Sequence, residues 1–187
     1  MNFLEHIDNQ LFMLITADQN TWTVISWVGI FCAKYLIYFI PLHLIVLWLL
    51  GGEIERRAAI AVLIAVVVGL VCSFLIGQVA FRPRPFVVGL GRALIQHKEN
   101  ASFPSNHALI FAAYSTVLCC FHYRKAFKLA LILALLTCWG RIFTGVHYPF
   151  DVLGGVILGI IITFFVVRYA LRFIPSFIIM LPPLKRR

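Results

Sequence analysis

Charge is what this sequence has least of: Asp and Glu together number 7, and only 12% of the 187 residues are charged while 62% are hydrophobic. So few polar side chains exclude a soluble domain, which has to cover its surface with them, and a disordered chain, which needs low hydrophobicity. The sequence also lacks any Cys-x-x-Cys pair. Cys32, Cys72, Cys119, Cys120 and Cys138 all sit in apolar stretches and read as small buried hydrophobes, with neither a disulfide framework nor a zinc site. No basic segment is interleaved with exposed aromatics, so the net charge of +9 does not point to a nucleic-acid partner. Glu5, His6 and Asp8 stand where a signal peptide would carry basic residues, and no removable leader is expected. Internal repeats and low-complexity tracts are missing too.

What is there is a set of long apolar runs. Uncharged segments cover 35–52, 58–81, 129–140 and 152–167, and 104–121 is interrupted only by His107. About 20 residues cross a hydrocarbon core as a helix, so the expected fold is all-α, a polytopic membrane bundle with five to six transmembrane helices. Five spans are expected to end near residues 50, 77, 122, 143 and 172. Residues 22–33 form a separate span, a broken one or an extension of the next. Residues 2–15, with Phe3, Leu4, Ile7, Leu11 and Leu14 at helical spacing, read as an amphipathic helix in the membrane interface. The chain is expected to be one domain over 1–187, with a first-helix region at 1–33, a motif-bearing core at 58–170 and a basic cytoplasmic tail at 173–187.

Placing Arg56 and Arg57 in the cytoplasm puts Arg124, Lys125, Lys128, Arg168, Arg172, Lys185, Arg186 and Arg187 on the same side, as the positive-inside bias requires. The opposite face keeps Arg82, Arg84, Arg92, Lys98 and Arg141. Positive charge held on the disfavoured side calls for a reason, and an anionic substrate supplies one.

Three clusters on that face carry chemistry. Arg82-Pro83-Arg84-Pro85 closes an apolar helix with two guanidinium forks suited to phosphate oxygens. Ser102-Phe103-Pro104-Ser105-Asn106-His107 opens the next apolar run, where Pro104 marks a helix start whose free N–H groups suit an anion. Ser105 and Asn106 add side-chain hydrogen bonds there, and His107 points into the same space. Between the last two spans lie Arg141, His147 and Asp151. Pro149 places Asp151 in a first helical turn, from which its carboxylate reaches back to one nitrogen of His147 and leaves the other free as a nucleophile. Each cluster also has a bland reading as a helix stop, a cap or a dipole partner. All three at helix ends on one membrane face make a phosphoryl-transfer site, without the second carboxylate or the ligand spacing that a metal would need.

These residues resemble the membrane branch of the type 2 phosphatidic acid phosphatase superfamily, whose pattern is Lys-x6-Arg-Pro, Pro-Ser-x-His and Ser-Arg-x5-His-x3-Asp. The match runs through Arg84-Pro85, Pro104 to His107, and Arg141 with His147 and Asp151. Gly77 stands where the family has Lys and Gly140 where it has Ser, with Arg82, Gln78 or Lys98 as candidate replacements. Within the superfamily the chain is most similar to bacterial undecaprenyl-diphosphatases of the bacitracin-resistance type. The resemblance implies a six-helix core and a site at the extracytoplasmic helix ends. It implies His147 as nucleophile oriented by Asp151, His107 as acid and base, and Arg84, Arg141, Ser105, Asn106 and Arg82 as phosphate ligands. The implied substrate is a polyprenyl diphosphate lipid held in the bilayer of the plasma membrane, with no cofactor and no metal. A phosphatase for phosphatidylglycerol phosphate, phosphatidic acid or the lipid A headgroup is the neighbouring reading, and a non-enzymatic anion transporter the more distant one.

Overall fold

The computed structural model describes residues 3–169, and the expected tail at 173–187 lies outside them. Helix α1 spans Phe3–Ile15, α2 Thr23–Lys34, α3 Phe39–Leu50, α4 Glu53–Val79, α5 Asn106–Cys120, α6 Arg124–Phe143 and α7 Pro149–Arg168. No strand occurs among the described residues.

Among the described residues, four helical stretches are long and apolar enough to cross a membrane: Thr23–Leu50, Glu53–Val79, Arg124–Phe143 and Pro149–Arg168. The first joins α2 to α3 through a single 3-10 turn at Leu36–Tyr38, so residues 22–33 extend the next span with a break in its helical winding. α5 has 15 residues and is shorter than a lipid-facing span. Nine of those residues are buried, so its polar backbone is shielded by protein. Its wall against α7 is made of glycine: a Cβ on Gly155 would stand 2.3 Å from the Ser105 carbonyl oxygen, and one on Gly159 2.5 Å from that of Leu109. Small residues four apart let two helix backbones touch.

α1, at 13 residues, reaches only about 20 Å and cannot span. The predicted apolar stripe is indeed outward, with Phe3, Leu4, Leu11 and Leu14 exposed. The opposite face docks on the bundle through Asp8 and Phe12, both fully buried. Phe12 packs with Ala108, Ile142, Tyr148 and Val152 in one cluster. A larger cluster of Ile40, Val62, Phe111, Tyr114, Val117 and Leu118 fills the end of the bundle far from α1. Tyr114 joins it to α3 by a 2.7 Å hydrogen bond with His43 Nδ1.

The cysteines differ from expectation. All are free, but only Cys32 is buried; Cys119 and Cys120, in the last turn of α5, are exposed.

Candidate active site

The C-terminal ends of α4 and α6 meet the N-terminal ends of α5 and α7 at one end of the bundle. A cavity of about 240 Å³ opens there, lined among others by Gln78, Arg84, His97, Asn106, His107, Arg141 and His147. That volume falls below the several hundred Å³ of sites that enclose a whole drug-sized ligand, so it suits a headgroup.

His147 lies in the short link between α6 and α7. Its Nδ1 sits 2.9 Å from the Ser102 carbonyl, which can only accept, so Nδ1 carries the proton and Nε2 holds the lone pair. The expected direct partner, Asp151, is 3.7 Å away. Its Oδ2 instead accepts from the Ser102 hydroxyl and, at 2.9 Å, from the Tyr148 N–H, closing a capping box at the start of α7. Asp151 thus orients the serine whose carbonyl orients the histidine. Burial pushes the His147 imidazole down to about 3, with Arg141 and Arg84 adding to the effect and Asp151 opposing it.

Arg84 spends its guanidinium on the loop. Nε and Nη2 donate to Asn100 Oδ1 (3.2 and 3.0 Å), Nη2 to Ala101 O (3.1 Å) and Nη1 to Val146 O (2.8 Å). The remaining Nη1 hydrogen faces His147 Nε2 at 3.2 Å. Burial lowers Arg84 to about 10, which leaves it charged at neutral pH. Arg141 is the opposite case. Its Nη1 reaches only Ala33 O, at 3.4 Å, while Nε and Nη2 are buried without any partner. A buried guanidinium with two unpartnered nitrogens in a cavity wall is costly unless an anion completes it.

α5 begins at Asn106, so Pro104 precedes the helix and Ser105 is its N-cap, correcting the expected start at the proline. Asn106 and His107 face the cavity as expected, with Asn106 Oδ1 accepting from Ser73 Oγ at 2.6 Å. Ser105 does not line the cavity: its N–H is donated to the Asp151 carbonyl (2.9 Å) and its hydroxyl is buried without a partner. Arg82 is also absent from the wall. It is held between two carboxylates, Nη2 2.7 Å from Asp8 Oδ2 and Nη1 2.8 Å from Asp151 Oδ1, with its guanidinium 3.8 Å over the Tyr148 ring. Burial works against its charge, but Asp151 and Asp8 outweigh that and raise its pKa. A second carboxylate therefore does exist near Asp151, and Arg82 lies between the two.

The two glycines that depart from the family pattern have steric reasons. A Cβ on Gly77 would be 3.0 Å from Ala101 Cβ, and one on Gly140 would be 2.7 Å from the Ala33 nitrogen of α2. Gly140 serves helix contact and leaves no space for a serine. Of the candidate replacements only Gln78 lines the cavity. His97 is in the wall as well, its ring 6.2 Å from that of His147 and lowered by burial to about 4. His97, Ser102 and Asp8 escaped the sequence reading as site residues. Ser102 stands in the second motif cluster, and Asp8 shares the docked face of α1 with Phe12, one turn away, so an acid beside a buried aromatic is its sequence signal.

The PAP2 superfamily pattern matches residues 58–175. The chain is 36% identical over 161 residues to a Bacillus subtilis protein named undecaprenyl-diphosphatase BcrC, covering 86% of this chain and 83% of that one. It is 33% identical over 167 residues, 89% of this chain and 81% of the other, to the Bacillus licheniformis bacitracin transport permease protein BcrC. The crystal structure of Aquifex aeolicus LpxE shares the fold, with a TM-score of 0.70 at 23% identity over 86% of this chain and 94% of that one.

Proposed function

Because this chain belongs to the PAP2 superfamily, we propose that it is a multi-pass membrane phosphatase that hydrolyses undecaprenyl diphosphate to undecaprenyl phosphate and inorganic phosphate. The lipid tail stays in the bilayer and the diphosphate enters the cavity. The observation that carries the reading is the contact of His147 Nδ1 with the Ser102 carbonyl: with Nδ1–H held there, the Nε2 lone pair is presented inside a wall containing Arg84 and the two free nitrogens of Arg141.

The terminal phosphoryl group displaces the hydrogen bond from Arg84 to Nε2. Nε2 then attacks phosphorus in line, forming the N–P bond as the P–O bond to the lipid phosphate breaks. Arg84 Nη1 and Arg141 Nε and Nη2 donate to the phosphoryl oxygens, with the N-terminal N–H groups of α5 behind them. His107, whose side chain has no hydrogen bond among the described residues, gives its proton to the departing oxygen. Asp151 stabilises the positive charge left on the imidazole. Water next attacks the phosphohistidine, His107 takes its proton, and phosphate leaves with His147 restored. Ser105 and Arg82 act behind the cavity in this scheme, while Asn106 faces it.

Arg56, Arg57, Arg124, Lys125, Lys128 and Arg168 stand at the bundle end away from the cavity. By the positive-inside bias that end is cytoplasmic, and the site faces the periplasm or cell exterior of the plasma membrane. There it recycles the carrier lipid of wall synthesis and lowers the amount available to bacitracin.

The test is phosphate release by purified protein from undecaprenyl diphosphate, phosphatidylglycerol phosphate and phosphatidic acid, with and without excess EDTA. Fastest release from the diphosphate, undiminished by EDTA and lost in His147→Ala, is expected. The Bacillus licheniformis relative is named a transport permease, and an absence of phosphate release from every lipid would favour anion transport instead.

A further inference from the structure

Asp8 lies on α1, ahead of the segment that matches the family, and is fully buried. Its Oδ1 accepts from the Phe150 N–H at 2.9 Å, in the first turn of α7, while Oδ2 pairs with Arg82 at 2.7 Å. Arg82 passes the contact on to Asp151 Oδ1 at 2.8 Å, and Asp151 Oδ2 holds the Ser102 hydroxyl. Ser102 then accepts the Nδ1 proton of His147. Phe12, one turn along α1, packs on Tyr148 with ring centroids 5.5 Å apart, beneath the Arg82 guanidinium. Neither Asp8 nor Arg82 lines the cavity.

We propose that Asp8 is a positioning residue: through Arg82 it fixes Asp151 and the first turn of α7, and with them the direction in which His147 Nε2 points. The inference rests on the reading of His147 as nucleophile. Two physical effects support it. A carboxylate held at both oxygens cannot rotate, so the Ser102 hydroxyl and the carbonyl above it keep one orientation. Charge is the second effect. Arg82 alone would neutralise Asp151, whereas the Asp8–Arg82–Asp151 trio keeps a net negative charge to balance the imidazolium formed when His147 is phosphorylated.

The full-length protein is purified as Asp8→Asn, Asp8→Glu and Arg82→Lys, and kcat, KM and the melting temperature are measured with undecaprenyl diphosphate. Expected for Asp8→Asn is a loss in kcat of up to about 100-fold with little change in KM, partly recovered in Asp8→Glu. An unchanged kcat overturns the proposal, as does a drop in melting temperature with kcat of the folded fraction intact, which is what a mere clasp would give. A raised KM at unchanged kcat also overturns it, since Arg82 would then be a phosphate ligand. Should Asp8→Asn not accumulate in folded form, Arg82→Lys, which retains the cation without the fork, reads the same split between kcat and KM. A wild-type protein that releases no phosphate removes the functional reading and this inference together; an active wild type with an equally active Asp8→Asn removes the inference alone.

Discussion

His147 is kept uncharged by its surroundings, since burial and two guanidinium groups lower it to about 3 while in the unfolded chain it titrates near the ordinary value of about 6.5. The sign of the consequence follows. Between those two values the unfolded state binds a proton that the folded state refuses, so stability is complete above about pH 6.5 and is lost as pH falls towards 3. The loss approaches about 1.4 kcal/mol per pH unit from this group. Melting temperatures of the detergent-solubilised protein between pH 7 and 4.5 should therefore fall, and more steeply than those of His147→Asn; parallel curves would mean that another group titrates. That His147 and His107 share one cavity wall is legible in the sequence because motif spacing survives without a structure. The contact that fixes the tautomer is not, because it comes from a backbone carbonyl, and carbonyls are the same at every position. That Arg82 and Ser105 stand outside the cavity wall is not legible for a related reason: residue type announces phosphate affinity, but only packing shows whether a neighbouring carboxylate or a helix has already claimed the group.

At the scale of elements, the contact between α5 and α7 sets where the proposed catalytic groups stand, since His107 lies in the first turn of one helix and Asp151 in the first turn of the other. Gly155 is the position at which the two backbones meet most closely to the site. Gly155→Ala puts a methyl 2.3 Å from the Ser105 carbonyl and has to push the start of α5 aside. A destabilisation of about 1–3 kcal/mol is expected, together with reduced turnover. Gly52→Ala is the control: at the other end of the bundle, its Cβ would find only Glu55 Oε2, at 3.4 Å, and both properties should stay near wild type. Equal effects from the two would argue against the contact. Apolar run length located the four candidate spans among the described residues, because hydrocarbon thickness leaves little choice of helix length. It could not separate α5, a buried helix, from the lipid-facing ones, and it could not foresee that α1 turns an acid inward.

For the whole molecule, the question is which way the bundle sits. Cysteines introduced at Gln96 and at Lys125 occupy opposite ends and are both exposed. Native Cys119 and Cys120 are exposed beside Lys125, so they are first replaced by Ser. A membrane-impermeant thiol reagent should then modify the Gln96→Cys protein in intact cells and the Lys125→Cys protein only after the membrane is opened. The reverse pattern would invert the topology and end the recycling scheme. If the site faces outward as proposed, the free nitrogens of Arg141 link this enzyme to the medium outside the cell. A guanidinium awaiting phosphoryl oxygens does not distinguish the headgroup of a lipid from the inorganic phosphate just released. Product should accordingly compete with substrate, and a cell growing in phosphate-rich surroundings would regenerate its carrier more slowly than one starved of it, so that nutrient supply would set the pace of wall building.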